Sequence, residues 1–456
     1  MTLSTQRPIR RVLIANRGEI AVRIQRACRE LGVGTVQVYS EADRDSLAVR
    51  MADRAICIGP ARSSQSYLRS DYIIEAARLT DADAIHPGYG FLSENATFAE
   101  LCGREKLIFI GPPAKAIATM GDKASARAMA VQAGVPITPG SAGRLSSAQE
   151  ALDVAGRIGY PVILKAVAGG GGRGMRVVER PEDLAGHFEA ASREAKAAFG
   201  DGAMYLEKYL TKIRHVEIQV LSDGETILHL GERDCSSQRR NQKLLEESPS
   251  PGLPETTRLQ MGEAAVRLCR HVDYRSAGTI ECIFDPASSE FYFMEMNTRV
   301  QVEHPVTECV TGVDIVKEQI RIAGGERLSL RQEDIALRGH AIECRINAED
   351  PDTGFSPCPG LLSAVQMPGG PGVRVDSHVF AGYRVPPNYD SLIAKLITWG
   401  RDRSEAIARM QRALGELRIE GVKTTAPFLA RLLQSDAFVR GDVHTRFVEE
   451  FIQEAR

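Results

Sequence analysis

Residues 11–39 read RVLIANRGEIAVRIQRACRELGVGTVQVY. The stretch RVLIA at 11–15 is typical of a buried strand, and TVQVY at 35–39 predicts the next strand. Between them, apolar side chains recur with helical spacing from Ile20 to Leu31. Strand, helix and strand in this order predict a βαβ unit with parallel strands. We therefore expect a Rossmann-like domain at the start of the chain, ending near Gly111.

The turn after the first strand argues against a dinucleotide site, although Glu41 and Asp43 follow the second strand as such a site requires. The turn reads Asn16-Arg17-Gly18-Glu19, with one glycine where the dinucleotide fingerprint has three. The sequence therefore favours a structural domain here over a dinucleotide-binding one.

Composition limits the remaining classes of function. The chain has 456 residues, of which 43% are hydrophobic and 25% charged, and this length predicts roughly two to four domains. A formal net charge of -2 gives no indication of nucleic-acid binding. No apolar run reaches the ~20 residues of a membrane span, and no apolar signal core follows the N-terminal basic residues. The nine scattered cysteines lack CxxC spacing, which indicates reduced thiols in a cytoplasmic protein.

A glycine-rich segment, GGGGRG at 169–174, lies between two predicted strands at 161–165 and 175–178. Strand, loop and strand predict a hairpin, whereas a P-loop leads from a strand into a helix. Consecutive glycine amides can bind phosphate, and Lys165 adds a positive charge. The alternative is a flexible hairpin tip without a ligand. With a nucleotide bound, this segment would be a mobile lid that excludes water. Upstream, SAQE at 147–150 is a capping box that predicts a helix to about Ile158.

Two acidic side chains lie within apolar strands: Glu281 in the strand at 278–284 and Glu295 in the stretch that begins at 291. A lone carboxylate in an apolar strand is costly unless it is paired or bound to a metal. Together with Asn297 these residues supply the hard oxygen ligands that Mg²⁺ prefers. An internal salt bridge is the alternative interpretation.

Polar residues continue on every second position through Asn297, Arg299, Gln301 and Glu303, opposite an apolar face. In an extended chain alternate side chains share a face, so these groups are predicted to line one surface. Arginine binds a planar carboxylate or bicarbonate, and a nearby carboxylate can act as a general base. His304 precedes a proline, is more often structural in that setting, and is left without a role.

The polar stretch at 234–243, DCSSQRRNQK, follows a predicted strand at 227–231. It is read either as a solvated loop or, given the phosphate and anion signals elsewhere, as a substrate loop. Cys235 has no histidine near it in sequence, so a nucleophilic role for it is disfavoured.

Taken together, these segments resemble the biotin carboxylase family of the ATP-grasp superfamily. They occur in the family order and cover about residues 10–447. Each segment alone is modest evidence for the family, but together they are specific for it. The matching segments are IANRGEI at 14–20, IHPGYGFLSEN at 85–95, MGDK at 120–123, the glycine segment, RHVEIQ at 214–219, residues 295–308, and ECRINAED at 343–350.

The resemblance implies a mixed fold of α/β and α+β type in three parts. These are a Rossmann-like N-terminal domain at 1–114, an ATP-grasp body at 115–330 with a mobile glycine-loop lid at about 137–209, and a biotin carboxylase C-terminal domain at 331–456. It implies carboxylation of biotin by bicarbonate and ATP through carboxyphosphate.

The resemblance also assigns roles by matching position. Bicarbonate would be positioned by Lys243, Arg299, Gln301 and the backbone of Val302, and Glu303 would remove its proton. Arg345 would stabilise the biotin enolate, and the ring would lie near Tyr89, Gly90 and Gln242. Glu281, Glu295 and Asn297 would hold Mg²⁺ or Mn²⁺. The residues that would contact ATP are Lys123, Lys165, Gly171, Gly172, Glu207, Lys208, Leu210, His215, Gln238 and Asn241.

Three positions depart from the family pattern. Asn241 stands where the family usually has histidine, Ala168 where the lid usually has one more glycine, and Pro371 where a dimer contact often uses phenylalanine.

The implied partners are a biotin carboxyl carrier protein, carboxyltransferase subunits and a second copy of the chain. Because the sequence has no Met-Lys-Met biotinylation motif, we expect biotin on a separate protein. Acetyl-CoA carboxylase, and with it malonyl-CoA and fatty acid synthesis, is the expected setting. The alternatives are another acyl-CoA or urea-type carboxylase, a different ATP-grasp ligase, which Arg345 and the Tyr89 loop disfavour, and a nucleotide-binding scaffold without activity.

Overall fold

In the computed structural model, the residues that the structure describes are 8–141, 143–167 and 175–454. They divide into two compact units. The first contains Met1–Val135, Arg214–Ile283 and Met294–Arg456, and the second contains Pro136–Ile213 and Phe284–Phe293. The domain boundaries near 114 and 330 stay predictions.

The first unit begins with a five-stranded parallel sheet in the order β3-β2-β1-β4-β5. Its elements are β1 (Arg11–Ile14), α1 (Gly18–Glu30), β2 (Gly34–Tyr39), α2 (Leu47–Met51), β3 (Arg54–Cys57), α3 (Ser70–Leu79), β4 (Ala84–His86), α4 (Ala96–Arg104) and β5 (Ile108–Phe109). Val12 and Ile14 pack into one hydrophobic cluster, while Leu13 and Ala15 pack into another. Both faces of β1 are covered, which is why its sequence is continuously apolar. The predicted βαβ unit is confirmed.

Two helices, α5 (Ala114–Gly121) and α6 (Lys123–Gln132), lead out of this sheet. The second unit then contains α7 (Ala148–Ile158), β6 (Val162–Ala166), β7 (Met175–Val178), α8 (Pro181–Phe199) and β8 (Met204–Lys208). Its strands are antiparallel in the order β7-β6-β8, and Lys165 pairs with Met175. The predicted hairpin is thus present. Ser147 caps α7 by accepting from the amide of Glu150, whose carboxylate accepts from Ser146 rather than from Ser147.

The remaining elements belong to the central and C-terminal parts of the chain. The central ones are β9 (Arg214–Ser222), β10 (Ile227–Arg239), β11 (Gln242–Ser248), α9 (Glu255–His271), β12 (Ser276–Asp285), β13 (Glu290–Asn297), α10 (His304–Thr311) and α11 (Ile315–Ala323). The C-terminal ones are β14 (His340–Asn347), β15 (Glu349–Asp350), β16 (Ser356–Pro357), β17 (Gly360–Leu361), β18 (Ala364–Gln366), β19 (Val373–Ser377), β20 (Arg384–Val385), β21 (Leu392–Gly400), α12 (Arg403–Glu416), β22 (Arg418–Glu420), α13 (Ala426–Leu432), α14 (Asp436–Arg440) and α15 (Phe447–Glu454).

An eight-stranded sheet in the order β13-β12-β9-β10-β11-β14-β21-β19 joins these two parts of the chain. Its strands β11, β14 and β21 run antiparallel, with Glu246 opposite Glu343 and Arg345 opposite Lys395. Polar side chains that are far apart in sequence therefore meet on one sheet. Helices α12 and α13 pack on it around a core that includes Ile342, Leu396 and Met410.

Two further properties follow from the described residues. None of their helices is both long enough and apolar enough to cross a bilayer. All nine cysteines lie among these residues and are unpaired.

Candidate active site

A cavity of about 890 Å³ opens within the first unit, at the edge where the two large sheets end. It brings together side chains from the Rossmann-like sheet and from the eight-stranded sheet, and most of the predicted site residues line it. Those that line it are Tyr89, Gly90, His215, Gln238, Asn241, Gln242, Lys243, Glu281, Glu295, Asn297, Arg299, Gln301, Val302, Glu303 and Arg345.

The other predicted site residues lie elsewhere. Lys123 is exposed at the start of α6. Four lie in the second unit: Lys165, Glu207, Lys208 and Leu210. The Nζ of Lys165 is 2.5 Å from a carboxylate oxygen of Glu207, and the Nζ of Lys208 donates to two backbone carbonyls. Leu210 is half-buried. Gly171 and Gly172, like Ala168, lie outside the described residues.

The alternating polar stretch keeps its strand geometry only in part. Strand β13 ends at Asn297, and residues 298–303 form an irregular connection to α10. The prediction of one extended face from Glu295 to Glu303 is therefore wrong. Arg299, Gln301 and Glu303 still reach the cavity, because the connection turns towards it before the helix begins at His304.

The polar stretch at 234–243 is not a loop, which corrects the sequence interpretation. Strand β10 runs to Arg239 and pairs with β11 from Gln242. Cys235, Ser236 and Ser237 are buried, since the neighbouring strands satisfy the backbone groups. The two turn residues, Arg240 and Asn241, both have positive φ, as a two-residue hairpin turn requires. Asparagine tolerates this conformation readily, so the turn gives Asn241 a structural reason apart from nucleotide binding.

Lys243 is the centre of an ionic cluster. Its ammonium group donates to Glu217 at 2.7 Å, to Glu281 at 3.0 Å and to Glu303 at 2.6 Å. Burial lowers the pKa of Lys243, but the surrounding acidic groups outweigh it and hold that pKa well above its usual range. The lysine is thus charged, and three carboxylates share its charge.

Arg233 lies beneath this cluster and was missed by the sequence analysis. It is fully buried, and its guanidinium donates to Glu217 at 2.6 Å and to Gln219 at 2.7 Å. It also donates to Thr279, Thr307 and Gln301. We call Glu217, Arg233, Lys243 and Glu303 the floor of the site. Its charges are paired with one another and almost wholly removed from solvent.

Glu303 is held from both sides. One oxygen accepts from Lys243, and the other accepts from Arg345 at 2.9 Å. Burial raises its pKa, but the charges of Lys243, Arg345 and Arg233 outweigh burial and hold it well below its usual range. Arg345 in turn donates to Glu246 at 2.5 Å, and burial raises the pKa of Glu246 to about 7. The resting site therefore contains an ionised Glu303 beside a fixed guanidinium.

The opposite edge of the cavity is more open. Arg299 donates to Glu94 at 2.8 Å and to the amide oxygen of Asn297 at 2.8 Å, and its side chain is 21% exposed. Glu295 is exposed towards the cavity. We call Glu94, Glu295 and Arg299 the rim of the site. Glu94, which lies after β4 in the first sheet, aims the arginine and was not predicted.

The residues present fit a hard divalent cation. Desolvation, followed by the negative charge of Glu281, raises the pKa of Glu295, and a bound cation would remove that repulsion. Glu281 and Asn297 are joined by a 2.8 Å hydrogen bond, so two carboxylates and an amide offer oxygen ligands of the kind that Mg²⁺ or Mn²⁺ takes. His215, Glu217 and Glu281 also lie within reach of one ion, but the ammonium group of Lys243 already supplies the positive charge there.

The loop that carries Tyr89 is fixed by two polar residues that follow β1, Asn16 in the turn and Glu19 in α1. The side-chain amide of Asn16 donates to the carbonyls of Pro87 and Tyr89 at 2.6 and 2.7 Å. The hydroxyl of Tyr89 donates to Glu19 at the start of α1. Glu19 is buried and was also missed by the sequence analysis.

Two side chains that the sequence left without a role stay outside the chemistry of the cavity. Cys235 is fully buried, and burial first, then nearby carboxylates, raise its pKa well above the usual value. It is therefore not a thiolate nucleophile. His304 is fully buried at the start of α10.

Three known families match successive parts of the chain. The family described as "Biotin carboxylase, N-terminal domain" matches residues 8–117. "Carbamoyl-phosphate synthase L chain, ATP binding domain" matches residues 122–331. "Biotin carboxylase C-terminal domain" matches residues 343–450.

Individual relatives match nearly the whole chain. The chain is 58% identical to Biotin carboxylase 1 of Bacillus subtilis over 97% of its own length and 99% of that protein. It is similar to a biotin carboxylase complex with β-γ-ATP from Campylobacter jejuni, with a TM-score of 0.89, 50% identity and coverage of 97% and 99%. It is equally similar to the biotin carboxylase domain dimer of the Hydrogenobacter thermophilus 2-oxoglutarate carboxylase, which was solved with MgADP, ADP and bicarbonate (TM-score 0.88, 50% identity, coverage 98% of both chains).

Proposed function

The chain belongs to the biotin carboxylase family and is a ligase of that activity, and from this premise we propose how it works and what it serves. We propose that it carboxylates biotin on a separate biotin carboxyl carrier protein, through carboxyphosphate, as the first half-reaction of an acetyl-CoA carboxylase. The observation that carries the mechanism is the position of Glu303 between Lys243 and Arg345 in the floor of the cavity.

Bicarbonate binds between the floor and the rim. Arg299 offers a planar guanidinium that suits a planar anion, and Lys243 supplies a mobile ammonium group on the other side. Gln301, whose amide oxygen is held by Arg233 at 2.9 Å, and the backbone N–H of Val302 complete the set of donors.

Glu303 removes the proton of bicarbonate. In the resting site its pKa is too low for an effective base, because Lys243 and Arg345 both hold its charge. When bicarbonate draws the ammonium group of Lys243 to itself, Glu303 loses a hydrogen bond of 2.6 Å and becomes more basic. Substrate binding thus switches on the base.

Transfer of the γ-phosphoryl group to bicarbonate needs positioning and positive charge more than covalent chemistry. A magnesium or manganese ion held by Glu281, Glu295 and Asn297 supplies charge neutralisation on the phosphates when bound. We assign the adenine nucleotide to His215, Gln238, Asn241 and Lys123 in the first unit. In the second unit we assign it to Lys165, Glu207, Lys208 and Leu210, with the amides of Gly171 and Gly172.

Biotin enters the cavity beside Tyr89, Gly90 and Gln242. Arg345 stabilises the enolate form of its ring, since the guanidinium lies next to the base and is fixed by Glu246. Carboxyphosphate breaks down to carbon dioxide and phosphate within the cavity. The phosphate takes the proton of the biotin ring nitrogen, and that nitrogen then attacks the carbon dioxide to give carboxybiotin.

The test is ATP hydrolysis by the purified chain, measured with and without bicarbonate and with and without free biotin. We expect hydrolysis to require bicarbonate and to rise when biotin is added. ATP turnover that is indifferent to both would overturn the proposed function.

The carboxyl acceptor needs a separate experiment, because the similarity to a 2-oxoglutarate carboxylase domain makes 2-oxo acids the second candidate. The chain is isolated from its cells with the carrier and carboxyltransferase bound, and transfer of labelled bicarbonate to acetyl-CoA, propionyl-CoA, 2-oxoglutarate, pyruvate and urea is measured. Labelled malonyl-CoA supports the acetyl-CoA proposal, and label in another acceptor replaces it.

The unpaired cysteines support a reducing compartment, the cytoplasm, as the place of action.

We also propose that the chain forms a homodimer, as the Hydrogenobacter thermophilus domain does. The support is that similarity alone, because Pro371 stands where a family dimer contact often uses phenylalanine and so departs from that contact. Light scattering of the purified chain at micromolar concentration tests it, and a monomer at all concentrations would contradict it.

A further inference from the structure

Three of the four proposed bicarbonate donors, Arg299, Gln301 and Val302, lie on the irregular connection of residues 298–303, which belongs to no strand or helix. Such a connection must be fixed by other means if it is to aim a backbone N–H at an anion. In a trans peptide unit the C=O and the following N–H point in opposite directions. Whatever holds the carbonyl of Gln301 therefore also sets the direction of the N–H of Val302.

The carbonyl of Gln301 is held by His304. The Nδ1 atom of this histidine lies 2.7 Å from it, and because a carbonyl can only accept, Nδ1 must carry the proton. The ring is fully buried, its Nε2 has no hydrogen-bond partner among the described residues, and burial first, then Lys395, hold its pKa well below the usual range. His304 is thus a neutral donor with one fixed target.

The next carbonyl along the chain, that of Val302, is held by Lys395. This lysine is fully buried in β21, and its Nζ donates to the carbonyl at 2.8 Å. The same ammonium group lies 3.2 Å from Glu19 and 3.9 Å from Asp376. Two carboxylates therefore keep a charged group in place, directed at one backbone oxygen.

We propose that His304 and Lys395 are positioning residues that clamp the two successive peptide units on either side of Val302. The clamp turns the N–H of Val302 away from His304 and into the cavity, and it fixes the backbone from which Glu303 projects. Glu19 also accepts from Tyr89. The ammonium group of Lys395 therefore connects the backbone of Val302, at the proposed bicarbonate site, with Tyr89, at the proposed biotin site. This inference rests on the proposed bicarbonate site and adds residues that do not themselves touch the substrate.

The decisive test compares His304→Asn with His304→Gln. The amide nitrogen of asparagine lies where Nδ1 lies, whereas that of glutamine lies nearer to Nε2. Glutamine is closer to histidine in volume, so a residue that only fills space would be replaced better by glutamine. The clamp requires the reverse: the asparagine variant keeps the KM for bicarbonate close to that of the wild type, and the glutamine variant raises it about tenfold, the size expected for one lost hydrogen bond. Equal values, or a better glutamine variant, would overturn the proposal.

Lys395→Met tests the second half of the clamp, since methionine keeps most of the stem and removes the donor. We expect the KM for bicarbonate to rise by about tenfold or more while the KM for ATP changes less than about threefold. The matched control is Arg258→Met, which removes another cation paired with a buried carboxylate, that of Glu232, in the same unit. The control should leave both KM values unchanged.

The outcomes separate this inference from the proposed function. Wild-type hydrolysis that ignores bicarbonate removes the proposed function itself. A bicarbonate-dependent wild type together with a Lys395→Met variant that behaves like the control removes the clamp alone. If Lys395→Met does not fold, as judged by circular dichroism, the histidine pair still decides the question.

Discussion

The floor and the rim of the cavity carry similar charged residues and hold them in opposite ways. On the floor, Arg233 is fully buried and its guanidinium is occupied by five side chains. On the rim, Arg299 is partly exposed and shares its donors with Glu94 and Asn297. A buried, saturated guanidinium is a structural part, since it has no donor left for a ligand. A half-open one can exchange its partners for a substrate.

Residue type alone does not tell which cation meets the substrate. Lys243 lies between the two cases: it contacts three carboxylates, yet its side chain is 12% exposed at the cavity. It can therefore let go of Glu303 when an anion arrives, which Arg233 cannot do. Mutations on the floor should affect stability or the base, and mutations on the rim should affect binding.

Glu303→Gln should give the largest effect. The glutamine keeps the size of the side chain but cannot take a proton, so bicarbonate-dependent ATP hydrolysis should fall by a factor of about 100 to 10,000. Calorimetric titration should show that ATP still binds. A rate within a factor of about two of the wild type would remove the assignment of the base.

Arg233→Met should act on stability. It leaves Glu217 buried and deprived of its closest partner at 2.6 Å, and breaking a buried ion pair by removing one member costs about 3 to 5 kcal/mol. Urea denaturation followed by circular dichroism measures the free energy of unfolding. A loss below about 1 kcal/mol would mean that the floor is not the structural part that we describe.

Arg345→Ala should separate the two halves of the reaction. Glu303 keeps Lys243 as a partner, so ATP is still cleaved, but the enolate of biotin loses its cation. The yield of carboxybiotin per ATP cleaved should fall about tenfold or more, as for a lost charged hydrogen bond. A normal yield in a filter assay with labelled bicarbonate would show that the role belongs to another residue.

Arg299→Met is the counterpart of Arg233→Met on the rim. Its ion pair with Glu94 is partly exposed, so the free energy of unfolding should change by less than about 1 kcal/mol. The KM for bicarbonate should nevertheless rise by about tenfold or more. Large destabilisation with an unchanged KM would reverse the comparison between rim and floor.

The smallest effect concerns pH. Below about pH 7 the folded protein keeps a proton on Glu246, because burial raises the pKa of this carboxyl group to about 7 from an ordinary value of 4.5. The stability linked to this carboxyl group is present below pH 4.5 and is lost as the pH rises towards 7, because the unfolded chain releases the proton first. Glu246→Gln removes the titrating group and with it this loss. The free energy of unfolding of the variant minus that of the wild type should therefore increase from pH 4.5 to pH 7. Urea denaturation at about pH 5, 6 and 7 measures it, with Glu333→Gln, at an exposed surface position, as the control variant.

Periodicity in the sequence was enough for the first sheet and the glycine hairpin. Strand β1 is apolar from Val12 to Ile14, β2 carries Val36 and Val38 at alternate positions, and β6 and β7 flank a glycine run, so local pattern and tertiary structure agree. It failed at 234–243, where polar residues are buried in strands because β9 and β14 on either side supply their partners. Burial of that kind depends on contacts distant in sequence.

Some of the site residues that were missed did have a signal in the sequence, and one did not. Glu217 and Gln219 follow His215 at alternate positions of β9, the same signal that pointed to Glu295 and Asn297, and it could have been read in the same way. Lys395 is a lone charge in the apolar run LIAKLITW at 392–399, a pattern that the argument for Glu281 covers equally. His304 gave no usable signal, because its role depends on which carbonyl its ring faces.

The clamp on Val302 has a consequence for how the protein is made. Glu303 accepts a hydrogen bond from Arg345, which lies 42 residues further along the chain. The carbonyl of Val302 accepts one from Lys395, which lies 93 residues further along. A ribosome therefore synthesises the members of the Lys243 cluster well before Arg345, which restrains the base, and Lys395, which holds the backbone of Val302. Until β21 has emerged and joined the sheet, the carboxylates of a nascent chain lack the contacts that orient them. We expect such a chain not to hydrolyse ATP with bicarbonate during that interval.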